Sequence, residues 1–144
     1  FDQSGQLLMI LQEFIDFQQY VRCICLGKTA IRVIRYDPHA PFERRYVNDD
    51  SYLTAAVHER IMHDAHTLNE ALGYDMNSVE FAIRDGVPYA IDFLNPAPDF
   101  DRNSITPPNF DWVLENMGRL VIAYARGERP ASGRDCRWAR VLDG

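Results

Sequence analysis

The sequence contains no long apolar run: none of its 144 residues lies in a stretch that approaches the ~20 apolar residues of a membrane-spanning helix. Positive charge is also scarce. The formal net charge of −6 argues against a nucleic-acid-binding surface, although it leaves room for a locally basic pocket that binds phosphate. Cysteine occurs only three times, in a domain too large to depend on disulfides, so we expect reduced thiols and a cytoplasmic protein.

What the sequence does contain is the composition of an ordinary globular domain. Apolar residues make up 47% and charged residues 25%, and the length suffices for one domain with a buried core. We assign residues 1–126 to this domain and residues 127–144 to a basic tail, which is either solvated or a site for an anion or a partner. The chain begins FDQSGQLLMI, without an initiator methionine, so we expect a piece of a longer protein.

Three strands are predicted in the first part of the chain, at residues 7–14, 20–27 and 29–36, because apolar residues there run together or alternate. Residues 37–50 contain two prolines and are predicted to form a loop. A helix is predicted next, because apolar residues recur at spacings of three and four. Its apolar face consists of Leu53, Val57, Ile61, Ala65, Leu68 and Leu72. We expect Asp50 or Ser51 to cap the start of this helix and Gly73 to end it.

The second part of the chain predicts a hairpin followed by a helix. Residues 78–84 and 87–93 have strand character and are joined at Asp85-Gly86, which is a strong hairpin signal. Residues 109–126 have helical periodicity and follow two prolines. The order βββ-α-ββ-α predicts an α+β fold, in which two main helices pack on an antiparallel sheet of about five strands.

The predicted hairpin carries acids near one strand end. Glu80 lies in its first strand, Asp92 lies in its second, and Asn95 follows. A two-residue turn would put Glu80 and Asp92 on opposite faces of the sheet, whereas a three-residue loop at residues 84–86 puts them on one face. We predict this three-residue loop and an irregularity at residues 93–94, because together they bring the three side chains to one place. The alternative is that the acids are merely solvated at a strand end.

Two carboxylates and an amide on one face would form an all-oxygen set of donors. Such a set suits Mg²⁺, which keeps several waters and takes further oxygens from substrate phosphates. The two carboxylates would repel one another unless a cation lay between them. Zinc is not favoured, because His58 and His63 are five residues apart and do not share a helix face. Cys23 and Cys25 are interpreted as small apolar fillers of a strand and not as a redox pair.

Several motifs of this sequence occur together in the order found in one enzyme superfamily. They are QEFI at residues 12–15, two strands with Arg22, Arg32 and Arg35, the helix ending NEALGYD, and SVEFAIRDGVPYAIDFLNPAP at residues 78–98. Over residues 7–124 the chain resembles the C-terminal part of ATP-grasp ligases of the glutathione synthetase and ribosomal-protein glutamate ligase kind. The resemblance implies the C-terminal half of an ATP-grasp fold.

This resemblance also implies a reaction. The parent protein would be an ATP-dependent ligase that joins a carboxylate to an amine or a thiol through an acyl phosphate. Its cofactors would be ATP and Mg²⁺, and its substrates would be small-molecule or peptide carboxylates and amines. Neither nucleic acid nor a membrane is expected as a partner, and a homo-oligomer is left open.

The resemblance assigns site residues by matching motif positions. The implied metal ligands are Glu80, Asp92 and Asn95. The adenine would be contacted, largely through the backbone, by Glu13 and Phe14. The arginines that would contact phosphate or acyl phosphate as catalytic groups are Arg22 and Arg35. Further candidates for phosphate binding, both in the predicted loop, are Arg44 and Arg45.

The sequence departs from the ATP-grasp pattern in three respects. Residues 92–95 read DFLN where the family usually has Glu-x-Asn, and Glu80 occupies a position that is commonly Asp. The only lysine, Lys28, lies in a predicted turn, whereas the family's phosphate-binding lysine belongs to a preceding subdomain. We therefore expect this fragment to need the missing N-terminal subdomains and to be inactive alone. The alternative is a non-catalytic α+β interaction module with an acidic surface loop.

Overall fold

The structure, a computed structural model, describes residues 10–128. Within that range five strands form one sheet, and three α-helices and one 3₁₀ turn accompany them. In chain order the elements are β1 (Gln19–Leu26), β2 (Ala30–Tyr36), the 3₁₀ turn (Phe42–Arg44), β3 (Tyr46–Val47), α1 (Ala55–Leu72), β4 (Met76–Arg84), β5 (Val87–Asn95), α2 (Arg102–Ile105) and α3 (Pro107–Ala125). No helix in this range is long and apolar enough to cross a membrane.

The sheet has the strand order β3-β2-β1-β4-β5, and every neighbouring pair is antiparallel. The predicted α+β class and the number of strands are confirmed, but one strand was misplaced. Residues 10–14, the described part of the first predicted strand, have no strand structure, and residues 1–9 lie outside the described range. The strand that brings the number to five is instead β3, a two-residue strand inside the predicted loop.

Helices cover both faces of the sheet. Side chains alternate between the two faces along each strand, and apolar side chains occur on both. The face that α1 covers, here called the α1 face, has a core built from Val21, Cys23, Cys25, Ile61, Ala65, Val79, Phe81 and Ile83. The opposite face, here called the α3 face, has a core built from Ile15, Tyr20, Ile24, Leu26, Ile34, Tyr36, Tyr46, Ala82, Ile105 and Val113. A side chain on this sheet therefore belongs to one of two separate environments.

Helix α1 begins later than the sequence predicts. The Thr54 side chain caps it by accepting a hydrogen bond from the Val57 N–H, whereas Asp50 or Ser51 was expected to do so. The Asp49 carboxylate accepts hydrogen bonds from both the N–H and the hydroxyl of Ser51, which holds the preceding residues in a turn. The helix ends as predicted at Gly73, whose φ of 72° is left-handed.

Helix α3 begins at Pro107, two residues before the predicted start. Proline is favoured there because the first helical residues have no intrahelical acceptor for their N–H groups.

The basic tail, assigned to residues 127–144, lies outside the described residues from residue 129 onward. The two thiols of β1 confirm their interpretation as fillers, since Cys23 and Cys25 are buried and free.

The hairpin between β4 and β5 has a two-residue turn, so the predicted three-residue loop is wrong. Arg84 pairs with Val87, which leaves only Asp85 and Gly86 in the turn. Their φ values of 55° and 76° are both left-handed, as a type I′ turn requires. Gln18 fixes the turn, because its side chain accepts the Asp85 N–H at 2.8 Å and donates to the Asp85 carboxylate at 3.2 Å.

Strand β5 compensates for this turn with an extra residue of its own. Phe81 pairs with Ala90, but the neighbouring Glu80 pairs with Asp92, so Ile91 is a bulge residue. Directly paired residues share a face of a sheet, and Glu80 and Asp92 therefore lie on the same face. The two side chains thus come together as the functional hypothesis requires, through a bulge that the sequence did not reveal.

A second irregularity follows and matches the prediction at residues 93–94. From Glu80 to Ser78 the chain of β4 advances two residues, while β5 advances three residues between Asp92 and Asn95. The additional residue turns Asn95 back to the face on which Asp92 lies. This irregularity is confirmed, and the α3 face carries all three of the predicted metal ligands at one end of the β4–β5 pair.

Candidate functional site

Glu80 is the most enclosed member of the candidate site, with 8% of its surface exposed. The Tyr20 hydroxyl donates a hydrogen bond of 2.5 Å to Oε2 of Glu80. On the other oxygen, Oε1 accepts from Nε of Arg22 at 2.7 Å and from Nη2 of the same guanidinium. β1 and β4 create this contact, because Arg22 and Glu80 are directly paired across the two strands.

The Arg22 guanidinium is itself held by aromatic rings. It lies over the Tyr36 ring, 4.3 Å from the centroid, and its Nη1 donates to the Tyr46 hydroxyl at 2.6 Å. Burial acts to lower the pKa of Arg22, but the neighbouring Tyr46 and Glu80 outweigh it and raise the pKa above its ordinary value. The side chain is therefore a permanent cation fixed on the α3 face.

The tyrosine hydroxyls of the site remain neutral. Burial raises the pKa of Tyr20 well above its usual range, and the hydrogen bond to Glu80 raises it further. Burial also raises the pKa of Tyr46, although the nearby Arg22 acts in the opposite direction. Tyr20 is therefore a hydrogen-bond donor to the carboxylate at any physiological pH.

Asp92 and Asn95 differ from Glu80 in their exposure. Asp92 is exposed, and its Oδ1 accepts a hydrogen bond of 3.4 Å from the Leu94 N–H. Asn95 is half-buried, and its N–H donates to the Asn77 Oδ1 at 3.1 Å. The outer part of the site therefore offers a carboxylate and an amide that solvent or a ligand can reach.

Asn77 is the residue that holds the second irregularity in place. It is fully buried, and its Nδ2 donates at 3.0 Å to both the Phe93 carbonyl and the Asn69 Oδ1. With the bond from the Asn95 N–H, Asn77 thus contacts two backbone groups of β5 on either side of the irregularity. The sequence offered no signal for this role, because a buried asparagine looks like any other polar residue at a strand start.

The two arginines predicted to contact phosphate lie on opposite faces of the sheet. Arg35 is on the α1 face, where its Nη1 contacts the Asp49 carboxylate at 3.2 Å and its guanidinium lies over the Tyr52 ring. It lines a cavity of about 240 Å³ along the edge of β2, which is three strands away from β5. The structure therefore does not bring Arg35 together with Glu80 and Asp92.

Of the two loop arginines, Arg45 lies nearer to the site. It donates to the Ala40 carbonyl at 3.1 Å and to the Tyr36 hydroxyl at 3.4 Å, so it shares an aromatic neighbour with Arg22. Arg44 is exposed at the end of the 3₁₀ turn. A second cation thus borders the α3 face beside Tyr36.

The predicted adenine-binding residues precede β1 in an extended segment. Both Glu13 and Phe14 are exposed, and Phe14 has 76% of its surface accessible. The adjacent Gln12 donates from Nε2 to the Ile91 carbonyl at 3.3 Å. The segment therefore runs beside the bulge of β5 and borders the same site as Asp92.

The donors of this site fit a hard cation only in part. Asp92 and Asn95 supply accessible oxygens of the kind that Mg²⁺ prefers. Glu80 is already neutralised by Arg22 and hydrogen-bonded by Tyr20. Among residues 10–128 no group of three or more His, Cys, Asp or Glu side chains could hold a metal ion.

The fold is similar to that of solved ligases. A crystal structure of D-alanine–D-alanine ligase from Bacillus anthracis complexed with ATP matches with a TM-score of 0.60 and 18% identity, over 82% of this chain and 41% of that chain. Another crystal structure of D-alanine–D-alanine ligase from Bacillus anthracis matches with a TM-score of 0.55 and 17% identity, over 81% and 43% of the two chains. No family model matches the chain, and no curated protein does.

At 18% and 17% identity, these similarities show the fold of the chain. D-alanine–D-alanine ligase belongs to the ATP-grasp superfamily, and the predicted similarity to the C-terminal part of an ATP-grasp ligase is confirmed at that level. The chain spans less than half the length of these ligases. A site shared with the remaining part of such a protein would therefore be only partly formed by this chain.

Proposed function

We propose that this chain is the C-terminal part of an ATP-dependent ligase, and that it binds the metal ion and the phosphates. The reaction would join a carboxylate to an amine or a thiol. The observation that carries the proposal is the double irregularity of β5, which turns Asp92 and Asn95 to the face of Glu80 and Arg22. Bulges often re-aim side chains next to active sites, and a surface strand without such a role has no need of two.

The nucleotide would lie across the exposed end of the α3 face. Glu13 and Phe14 directly follow Gln12, which donates to the Ile91 carbonyl at this end, and their backbone would contact the adenine. Arg22 and Arg45 would supply positive charge to the phosphates, for which a guanidinium fork is well suited. Arg35 is left out of this site because it lies on the α1 face, paired with Asp49.

The chemistry would proceed by activation of a carboxylate. A carboxylate oxygen of the substrate attacks the γ-phosphorus of ATP and ADP leaves, after which the amine or thiol displaces phosphate from the acyl phosphate. Mg²⁺, when bound, would supply positive charge that offsets the charge developing during the transfer. Asp92 and Asn95 would hold that ion, while Arg22 and Arg45 orient the phosphate oxygens.

A charge-neutral substitution in the intact protein tests this function. Asp92→Asn keeps the shape of the side chain but removes a charge that would bind Mg²⁺. ADP release should fall by at least about tenfold, and the requirement for Mg²⁺ should shift to higher concentration. The melting temperature should stay the same or rise slightly, because Asp92 is exposed and lies opposite another carboxylate.

The matched control is Asp64→Asn, which removes the same charge from a residue of α1 that is paired with Arg60. It should leave ADP release unchanged. Unchanged turnover in well-folded Asp92→Asn protein would contradict the proposal and favour a non-catalytic interaction module. The isolated 144-residue chain should bind ATP weakly or not at all, and micromolar binding in calorimetry would contradict its being an incomplete site.

A further inference from the structure

We propose that Arg22 acts as a resident cation in this site, so that the divalent ion is bound by Asp92 and Asn95 and not by Glu80. This inference rests on the proposed function and removes Glu80 from the set of metal ligands. The site would then take one divalent cation, because the guanidinium occupies the place that a second ion would need.

The carboxylate oxygens of Glu80 are largely occupied by hydrogen bonds within the protein. A carboxylate offers about four lone pairs to hydrogen bonds or to a metal ion. Nε and Nη2 of Arg22 use the two lone pairs on Oε1, and the Tyr20 hydroxyl uses one on Oε2. Within the described part of the chain, at most one lone pair of Glu80 is left, and the residue is only 8% exposed.

The positive charge of Arg22 also keeps a second cation away from Glu80. A cation next to Glu80 would also lie next to the guanidinium, and two like charges in a partly buried place repel strongly. Arg22 cannot relieve this repulsion by losing its proton, because a guanidinium stays protonated in proteins. It cannot readily swing away either, since the rings of Tyr36 and Tyr46 hold it from the other side.

Asp92 and Asn95, the outer pair of donors, are more accessible than Glu80. Asp92 is exposed and faces no arginine partner among the residues described. Asn95 is kept in position by the bond from its N–H to the buried Asn77. One charge and one neutral oxygen suit an ion such as Mg²⁺, which keeps most of its waters and completes its shell with phosphate oxygens.

The test uses Mn²⁺ as the probe, because its binding to protein is read directly from the loss of the free-ion electron paramagnetic resonance signal. The intact protein to which this chain belongs is titrated as wild type, Glu80→Gln and Asp92→Asn. The Mn²⁺ affinity of Glu80→Gln should stay within about twofold of wild type, and Asp92→Asn should weaken it by about tenfold or more. An equal loss in both variants would overturn the inference and leave the proposed function standing.

A second arm removes the resident cation. In Arg22→Met the carboxylate of Glu80 loses its partner and becomes available, so this variant should bind Mn²⁺ about tenfold more tightly than wild type. Addition of Mn²⁺ should also raise its melting temperature, because the ion replaces the missing positive charge. Arg35→Met is the matched control on the opposite face, and it should leave Mn²⁺ affinity unchanged.

Each remaining outcome has one meaning. If folded Arg22→Met binds Mn²⁺ no better than wild type, the guanidinium is not what keeps the ion from Glu80, and the inference is wrong. If Arg22→Met does not fold, the comparison of Glu80→Gln with Asp92→Asn decides alone. If Asp92→Asn binds Mn²⁺ as wild type does, or if wild type binds none, both the inference and the proposed metal site fail.

Discussion

The two neighbours of β4 pair with it in different ways. β1 runs beside it in unbroken register, from Gln19 opposite Ile83 to Leu26 opposite Met76. β5 starts in register at the turn and then departs from it twice. The β1–β4 pair, here called the regular side, buries Val79, Phe81 and other apolar residues of the core. The β4–β5 pair, here called the irregular side, ends in exposed polar groups.

This difference shows how one strand can serve both stability and function. A regular antiparallel pair fixes the face of every side chain, since a slip of one residue would turn the whole apolar set outward. A bulge releases a few residues from that constraint at the cost of strand hydrogen bonds. Asn77 replaces some of those bonds, so β5 can turn Asp92 and Asn95 without disturbing the core.

The largest effect is expected from a deletion on the regular side. Removal of Val79 shifts the remaining residues of β4 by one and turns their side chains to the wrong faces. We expect loss of cooperative folding, measured as the absence of a thermal transition in far-UV circular dichroism. A sharp melt close to that of wild type would show that the register of β1 and β4 does not carry the core.

Alkaline pH should have the next largest effect, because the regular side buries cysteine thiols in their neutral form. Burial raises the pKa of the Cys25 thiol from 9.0 to about 11. Between these values the unfolded chain loses the proton that the folded chain retains, so stability is complete below pH 9 and falls as pH rises toward 11. The loss from this thiol is about 2–3 kcal/mol.

Urea unfolding at pH 8, 9.5 and 11 measures this loss, and Cys25→Ala is the control. That variant lacks the thiol, so its stability should fall less steeply over the same range. Burial also raises the pKa of Cys23, which contributes in the same direction and leaves part of the slope in place. Identical slopes in the two proteins would contradict the assignment to Cys25.

A smaller effect is expected where the regular pairing meets the site. Tyr20→Phe removes the hydroxyl that donates to Glu80 and should lower the free energy of unfolding by about 2 kcal/mol. Tyr52→Phe is the matched control, because its hydroxyl accepts only a hydrogen bond of 3.2 Å from the Tyr20 N–H. Urea titrations measure both variants, and equal losses would mean that the contact with Glu80 adds nothing special.

The smallest effect is expected from a deletion on the irregular side. Leu94 is 52% exposed, and its removal would leave one residue between Asp92 and Asn95, so both keep the same face in a regular strand. The free energy of unfolding should change by less than about 1 kcal/mol. Unfolding as severe as that expected for the Val79 deletion would show that both sides of β4 are equally constrained.

The sequence was sufficient for features that repeat or that involve near neighbours. Helix α1 follows from its apolar spacing, and the β4–β5 hairpin follows from Asp85-Gly86. The irregularity at residues 93–94 follows from counting the residues between Asp92 and Asn95. Each of these inferences needs only a short window of the chain.

The remaining features depend on contacts that no short window contains. Asp85-Gly86 suits both turn lengths, so these two residues do not show whether the extra residue lies in the turn or in a bulge at Ile91. β3 has two residues, which is too short for a periodic signal. The ion pair of Arg22 and Glu80 joins residues 58 positions apart, and it becomes visible only when the pairing of β1 with β4 is known.

The buried thiols of β1 have a kinetic consequence. Cys23 and Cys25 are at most 1% exposed and lie in the strand that is flanked by β2 and β4. Both lie on the α1 face and pack with Ile61 and Ala65, so a thiol reagent can reach them only after α1 has moved away from the sheet. The rate at which Cys23 and Cys25 are alkylated in native buffer therefore measures how often α1 separates from the sheet, without denaturant.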